Sequence, residues 1–267
     1  MLKTFPTICA SVAANPSPLG VRLHNAGYEA KKLDFTYVAM GSESIEEAIS
    51  AFKLLNYRGM GVSMPFKQSV INLLDAVDES VKVIGACNTV VNNDGKLTGY
   101  NTDWVGAQNA IAEVIDIHSL KKAVIIGAGG VARAIAYALK INGLAVYICA
   151  RNDVQRKTLV DELELAGESA IEDQDKFGAD IIVNATPIAT DDSPLKLELH
   201  PTAKVVFDVV FQTRMTALTQ KAVSLGKIIV SGWRMLLLQG AKQFELYTQE
   251  EAPIEAMGEV LEKWLPA

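Results

Sequence analysis

The sequence is short of several features that would assign it to other classes of protein. It has three cysteines, Cys9, Cys87 and Cys149, far apart and odd in number. That excludes a disulfide framework or paired metal spacing and suits a reducing compartment, with each thiol reading as a small buried hydrophobe. The three histidines, His24, His118 and His200, lack metal-ligand spacing, so no metal is expected. Basic excess is missing too. A formal net charge of -6 opposes attraction to nucleic-acid phosphates or an anionic membrane, and neither is expected as a partner. No apolar run reaches spanning length, and MLKTFPTICASVAANPSP has neither the apolar core nor the cleavage site of a secretory signal, so a cytoplasmic protein is expected. Internal repeats and low-complexity tracts are absent.

What is present is ample apolar material. Hydrophobic residues make up 49% of the 267 and charged residues 21%, which fits a globular chain of two domains. In the first hundred residues strand-like and helix-like stretches alternate. TFPTICASV, LDFTYVAM and YRGMGVSM read as strands, and Asn15-Pro16-Ser17-Pro18 reads as a turn before a helix carrying Leu19, Leu23 and Ala30. Ser44 and Glu47 have capping-box spacing ahead of SIEEAISAFKLLN. Pro65 suits the first turn of a helix over FKQSVINLLDAV, which would put Lys67 just past a strand end. CNTVVN and KLTGYN flank Asn93-Asp94-Gly95 as a hairpin.

From about residue 104 the apolar strands AVIIG, AVYICA, DIIVNAT, KVVFDVV and KIIV alternate with helical stretches, the pattern of a doubly wound parallel sheet. The fold class is therefore α/β: an N-terminal α/β domain over 1–102, a doubly wound domain over 103–233, and final helices that cover the sheet or return to the first domain. AVIIGAGGVARAIAYAL holds the most specific motif. Gly127, Gly129 and Ala132 have glycine-x-glycine-x-x-alanine spacing after a strand and at a helix start. Gly127 permits a tight turn, Gly129 lets backbone approach a pyrophosphate, and Ala132 keeps helix and strand close. With Ala128, Gly130 and Val131 these residues form a candidate dinucleotide cradle at a helix N-terminus. NAD-binding units place an acid about 20 residues beyond the glycines. Here Arg151 and Asn152 end that strand with Arg156 close behind, and a guanidinium there suits a 2′-phosphate, so NADP is the expected cofactor. Asp153 reads as a helix cap.

Hydride chemistry at a carbon bearing a hydroxyl needs a group that moves the hydroxyl proton. GVSMPFKQSV, GACNTVV and GYNTDWVG place Lys67, Asn88, Thr89, Asn101, Thr102 and Asp103 between apolar runs. These stretches, together with Ser17-Pro18 and His24-Asn25, GAGGVAR, NATP at 184 to 187 and GWRMLLLQGAKQF, resemble the shikimate dehydrogenase family over nearly the whole chain. The resemblance implies an N-terminal substrate domain, a C-terminal Rossmann domain for NADP, catalysis in the cleft between them, and a place in aromatic amino acid biosynthesis. It implies that Lys67 and Asp103 form the catalytic pair. Asn15, Ser17, Ser63, Asn88 and Gln239 would bind a small hydroxylated acid, and Thr186, Val209, Gly232 and Met235 would join the cofactor site. His24 follows the family helix as a structural residue.

Several positions depart from the family pattern. Asn15 stands in place of a serine, Ser63 in place of threonine, Gly61 in place of asparagine, and Phe211 in place of a tyrosine that reaches the substrate. The expected function is an NADP-dependent oxidoreductase acting on shikimate or a close analogue. Quinate or another polyol acid is the alternative substrate, and a cofactor-binding sensor is the alternative class. Retention of both Lys67 and Asp103 argues against the sensor.

Overall fold

The computed structural model describes residues 5–188 and 193–266. Thr4, the first residue of the first expected strand, lies outside the described residues. The chain divides into two compact units: one runs through Thr102 and resumes at Gln239–Trp264, and the other is Asp103–Leu238 with the residues from Leu265.

The first unit contains β1 (Thr7–Ala13), α1 (Pro18–Ala30), β2 (Phe35–Gly41), α2 (Ile45–Leu54), β3 (Gly59–Val62), β4 (Ala76–Val77), α3 (Glu79–Ile84), β5 (Thr89–Asn93) and β6 (Lys96–Tyr100). Its six-stranded sheet has the order β2-β1-β3-β5-β6-β4. β1 runs parallel to β2 and β3, whereas β5 is antiparallel to both of its neighbours. Local chemistry accounts for the turns. Ser17 accepts the Leu19 amide as N-cap and Pro18 occupies the first helical turn of α1. Asp94 and Gly95 both have positive φ at the hairpin, where the Asn92 side chain also accepts the Gly95 amide. One core cluster, including Val12, Ile49, Phe52, Met60, Val70 and Leu97, packs under α2. The edge strand β2 is covered at one point: Asn25 donates to the Tyr37 carbonyl at 2.9 Å and accepts the Tyr37 amide at 2.8 Å.

Two expectations need correcting here. Ser44 accepts the Glu47 amide, but its own amide donates to the Ser42 hydroxyl rather than to the Glu47 carboxylate, so only half of a capping box forms. No α-helix follows Pro65, whose bond to Met64 is cis; Ser69–Leu73 forms a single 3₁₀ stretch. The edge of β6 captures the chain instead. Asp75 exchanges bonds with Leu97 through its amide and carboxylate, and the Asp78 amide donates to Gly99, which draws Ala76–Val77 into the sheet as β4.

The second unit contains α4 (Asp103–Ala112), β7 (Lys122–Ile126), α5 (Gly130–Ile141), β8 (Ala145–Cys149), α6 (Asp153–Leu163), β9 (Gly167–Ser169), β10 (Ile181–Asn184), β11 (Val205–Asp208), α7 (Ala217–Ser224) and β12 (Ile228–Ser231). All strands are parallel in the order β12-β11-β10-β7-β8-β9, the doubly wound arrangement. β10 and β11 are buried along their whole length, as strands covered on both faces must be. The order reverses between β7 and β10, and ligands bind at such switch points, outside the carboxyl ends of the strands. Two helices complete the chain, α8 (Gly232–Thr248) and α9 (Ile254–Trp264). The unit boundary at Leu238 falls inside α8, where alternating strands and helices leave no mark in the sequence.

Candidate active site

In the second unit the glycine loop is built by backbone geometry. Gly127 has φ of +119°, and a β-carbon there would meet the Ala185 carbonyl oxygen at 3.0 Å, so both conformation and space demand glycine. Gly129 is different. Its backbone is ordinary and extended, and an added β-carbon would meet nothing within 4 Å. The fold itself does not ask for glycine there, whereas a group approaching from outside would. The first bond of α5 runs from the Arg133 amide to the Gly129 carbonyl, so the amides of Gly130, Val131 and Ala132 precede the helical ladder. With the half-buried Ala128 they form a helix terminus whose amides suit an anion, and Ala132 is fully buried against the core.

The ends of β10 and β11 support this loop. Thr186 lies beside Gly127, its methyl 3.5 Å from where a β-carbon would be, and its amide and hydroxyl both donate to the Asn184 side chain. Asn184 in turn donates to Asp208, which also accepts the Thr216 hydroxyl at 2.6 Å. Burial pushes the Asp208 carboxyl up, while the bonds from Thr216, Val210 and Asn184 oppose the rise. Val209 donates its amide to the Asn184 carbonyl; a β-carbon on Gly232 would lie 2.4 Å from Val209 backbone atoms, and the nearby Met235 is buried.

The basic residues after β8 separate into two roles. Arg151 is exposed. Asn152, expected beside Arg151 at the cofactor site, is the N-cap of α6, its side-chain oxygen accepting the Gln155 amide at 3.0 Å. Asp153 is therefore not the cap; it pairs with Lys157 and Arg156. Arg156 is turned inward, bonded to Glu168, Asp153 and the Ala150 carbonyl. Those contacts use its guanidinium to tie α6 to β9, so it does not stand open beside Arg151 as the sequence suggested.

In the first unit the strand ends bring separated segments together. The Ala14 amide reaches the Met64 carbonyl, Ser63 donates to Val12, Val62 donates to Asn88, and Cys87 donates to the Lys67 carbonyl. The segments carrying Asn15, Ser63, Lys67 and Asn88 are thereby fixed at one end of the interior strands, where β1 and β3 finish and β5 begins. Asn15, Ser17 and Ser63 are exposed and Lys67 is half-buried. Asn88 is buried and donates to Gln239 at 3.2 Å and to the Thr102 hydroxyl at 3.0 Å, while its oxygen accepts the Thr102 amide at 2.7 Å. In the second unit Asp103 is buried as the first residue of α4. Gln243 escaped the sequence reading. It lies one helical turn beyond Gln239 on α8, and a second amide at that spacing on an otherwise apolar face was the available signal.

Residues 10–90 match the shikimate dehydrogenase substrate binding domain, and residues 232–262 match the shikimate 5′-dehydrogenase C-terminal domain. A shikimate dehydrogenase (NADP(+)) from Desulforamulus reducens is 35% identical over 259 residues, covering 90% of this chain and 89% of its own. The chain belongs to the shikimate dehydrogenase family. A shikimate dehydrogenase-like protein from Haemophilus influenzae is 34% identical, with 97% of each chain covered. Among solved structures, the shikimate 5-dehydrogenase of Thermus thermophilus in complex with NADP(H) and shikimate superposes with a TM-score of 0.87 at 29% identity, over 97% of this chain and all of that one. Among the described residues no group of histidines, cysteines or acids is arranged to hold a metal, and no helix is long and apolar enough to cross a membrane.

Proposed function

We propose that the protein is an NADP-dependent oxidoreductase that interconverts shikimate, or a close hydroxylated cyclic acid, with its keto form. The observation that carries this reading is the Asn88–Gln239–Thr102 cluster, held at the strand ends that also fix Lys67. A buried set of amides and hydroxyls is what recognition of a polyol requires, because an analogue lacking a hydroxyl leaves such groups unpaired. NADP supplies a hydride acceptor or donor when bound. Its pyrophosphate would rest on the amides of Gly130, Val131 and Ala132, and its 2′-phosphate would meet Arg151. Thr186, Val209, Gly232 and Met235 would flank it.

Lys67 takes the hydroxyl proton as the carbon loses its hydride, and returns it in the reverse direction. Asp103 binds a ring hydroxyl and orients the reacting group. Asn88 and Gln239 hold further hydroxyls, and Asn15, Ser17 and Ser63 face the substrate carboxylate. A small-molecule substrate and a cytoplasmic location suit NADP chemistry and three buried cysteines that form no disulfide.

A second reading keeps this chemistry and changes the substrate. Asn15 replaces one family hydroxyl and the half-buried Phe211 another, which favours an acid with a different carboxylate setting. Initial rates with shikimate, quinate and related cyclic acids, each with NADP and with NAD, test both. NADP-linked oxidation of at least one is expected, and none with any acid would reject the oxidoreductase assignment. Shikimate turned over with kcat/KM at or above about 10⁴ M⁻¹s⁻¹ would reject the second reading.

A further inference from the structure

Behind Asn88 and Gln239 runs a chain of buried hydrogen bonds whose direction is set by what each atom can do. The Gln243 amide nitrogen donates to the Asn88 backbone carbonyl at 3.2 Å and to the Thr89 hydroxyl at 2.9 Å. A carbonyl only accepts, so the amide group of Gln243 cannot be reversed. Its oxygen lies 3.3 Å from His24 Nε2, which must then carry the ring proton. Burial lowers the His24 pKa to about 4, so the ring is neutral at ordinary pH and has that one proton to give. The Thr89 hydroxyl, already accepting from Gln243, spends its single proton on Asn88 Oδ1 at 2.8 Å. Asn88 Oδ1 is thus an acceptor on two counts, since the Thr102 backbone amide also donates to it. Asn88 Nδ2 is left to donate, and it does so to Gln239 Oε1; the Thr102 hydroxyl is 3.2 Å from the same oxygen. Gln239 therefore has its oxygen held from behind, and its other polar atom, Nε2, can only donate.

Position 61 makes room beside this chain. A β-carbon on Gly61 would lie 2.7 Å from the Tyr37 hydroxyl, too close to fit, and in ordinary contact with Gln243 Nε2 at 3.4 Å, so glycine leaves the room that the Tyr37 side chain uses. Tyr37 in turn stacks on His24 with ring centroids 4.2 Å apart and holds the imidazole in place.

We infer that Gln243 is a positioning residue: its bonds to the Asn88 carbonyl and the Thr89 hydroxyl hold Asn88, whose polarity the Thr102 amide sets, so that Gln239 meets the substrate as a donor and selects a ring oxygen that accepts. This rests on the assignment of Gln239 to the substrate made above. The test is steady-state kinetics with shikimate and NADP on Gln243→Leu, Gln239→Leu, the double variant and Gln243→Glu, with thermal unfolding of each. Gln243→Leu should raise KM for shikimate about tenfold, the scale of one buried hydrogen bond, and leave KM for NADP within about twofold. Because part of the Gln243 effect passes through Asn88 to Gln239, the double variant should raise KM by less than the product of the two single effects. Gln243→Glu keeps the volume should the leucine variant fold poorly. Its carboxylate cannot donate to the Asn88 carbonyl, so the same rise in KM is expected. Additive effects in the cycle, or ordinary KM for shikimate in Gln243→Glu, would overturn the inference while leaving the substrate assignment standing. An unchanged KM for shikimate in Gln239→Leu would overturn both.

Discussion

In the second unit the atoms proposed to meet a ligand belong to the backbone: helix amides behind Gly129, in a loop bent by the positive φ of Gly127. In the first unit they belong to side chains drawn from Asn88 just before β5, from Thr102 and from α8, joined through a buried network. The difference decides how each site tolerates change. A backbone site survives most side-chain replacements and fails when something fills its space. A side-chain network transmits a single replacement along the bonds it shares.

The largest effect should come from the first unit. Lys67→Ala should lower turnover by about 10²–10⁴-fold with a much smaller change in KM, as loss of a proton-transfer group does. Nearly full turnover on the best substrate of the panel would remove Lys67 from the chemistry. The backbone site should answer to bulk. Gly129→Val has room in the fold, so it should leave thermal stability close to that of the parent while weakening NADP and NAD alike by about 10- to 100-fold through a clash with the pyrophosphate. Equal cofactor affinity before and after, by titration, would show that nothing approaches Gly129. One side chain in that unit should still matter selectively: Arg151→Asp should cut the preference for NADP over NAD by about 10- to 100-fold, the worth of a charge-assisted bond. A parent protein more efficient with NAD would refute the phosphate assignment outright.

The smallest effect is one of pH on the first unit. The folded His24 stays neutral down to about pH 4, whereas an unfolded histidine binds a proton near 6.5. Between those values the unfolded chain holds more protons, so this contribution to stability is complete above 6.5 and is lost as pH falls. Going from about pH 6.5 to about pH 5 should cost about 2 kcal/mol, read from urea midpoints, and His24→Phe should lose less over the same interval. Equal losses in both proteins would place the acid sensitivity elsewhere.

The same contrast explains what could be read beforehand. The strand, glycine turn and helix of the cofactor loop are contiguous, so spacing alone located them, and the doubly wound sheet followed from apolar strands at regular intervals. β9 went unread because Gly167-Glu168-Ser169 is short and polar, held at the sheet edge through Tyr147, Ile148 and Cys149. The missing helix after Pro65 depended on β6, more than twenty residues away, whose Leu97 and Gly99 claim the chain at Asp75 and Asp78. Asn88, Thr102 and Gln239 could each be nominated from resemblance, but their bonding crosses long stretches of chain. Gln243 carried no motif of its own. Arg156 shows the opposite failure: its position beside Arg151 suggested a shared role, and Glu168, visible only once β9 is in place, takes its charge.

One detail of the first unit bears on how the molecule behaves in a crowded solution. β2 is an outermost strand, and outermost strands invite another chain to pair with them and begin an aggregate. The Asn25 amide occupies both backbone groups of Tyr37 at the middle of that strand, imitating a neighbouring strand for a single residue. A would-be partner meets an edge whose register is interrupted halfway along, so the sheet ends there without needing a charge or a proline on the strand itself.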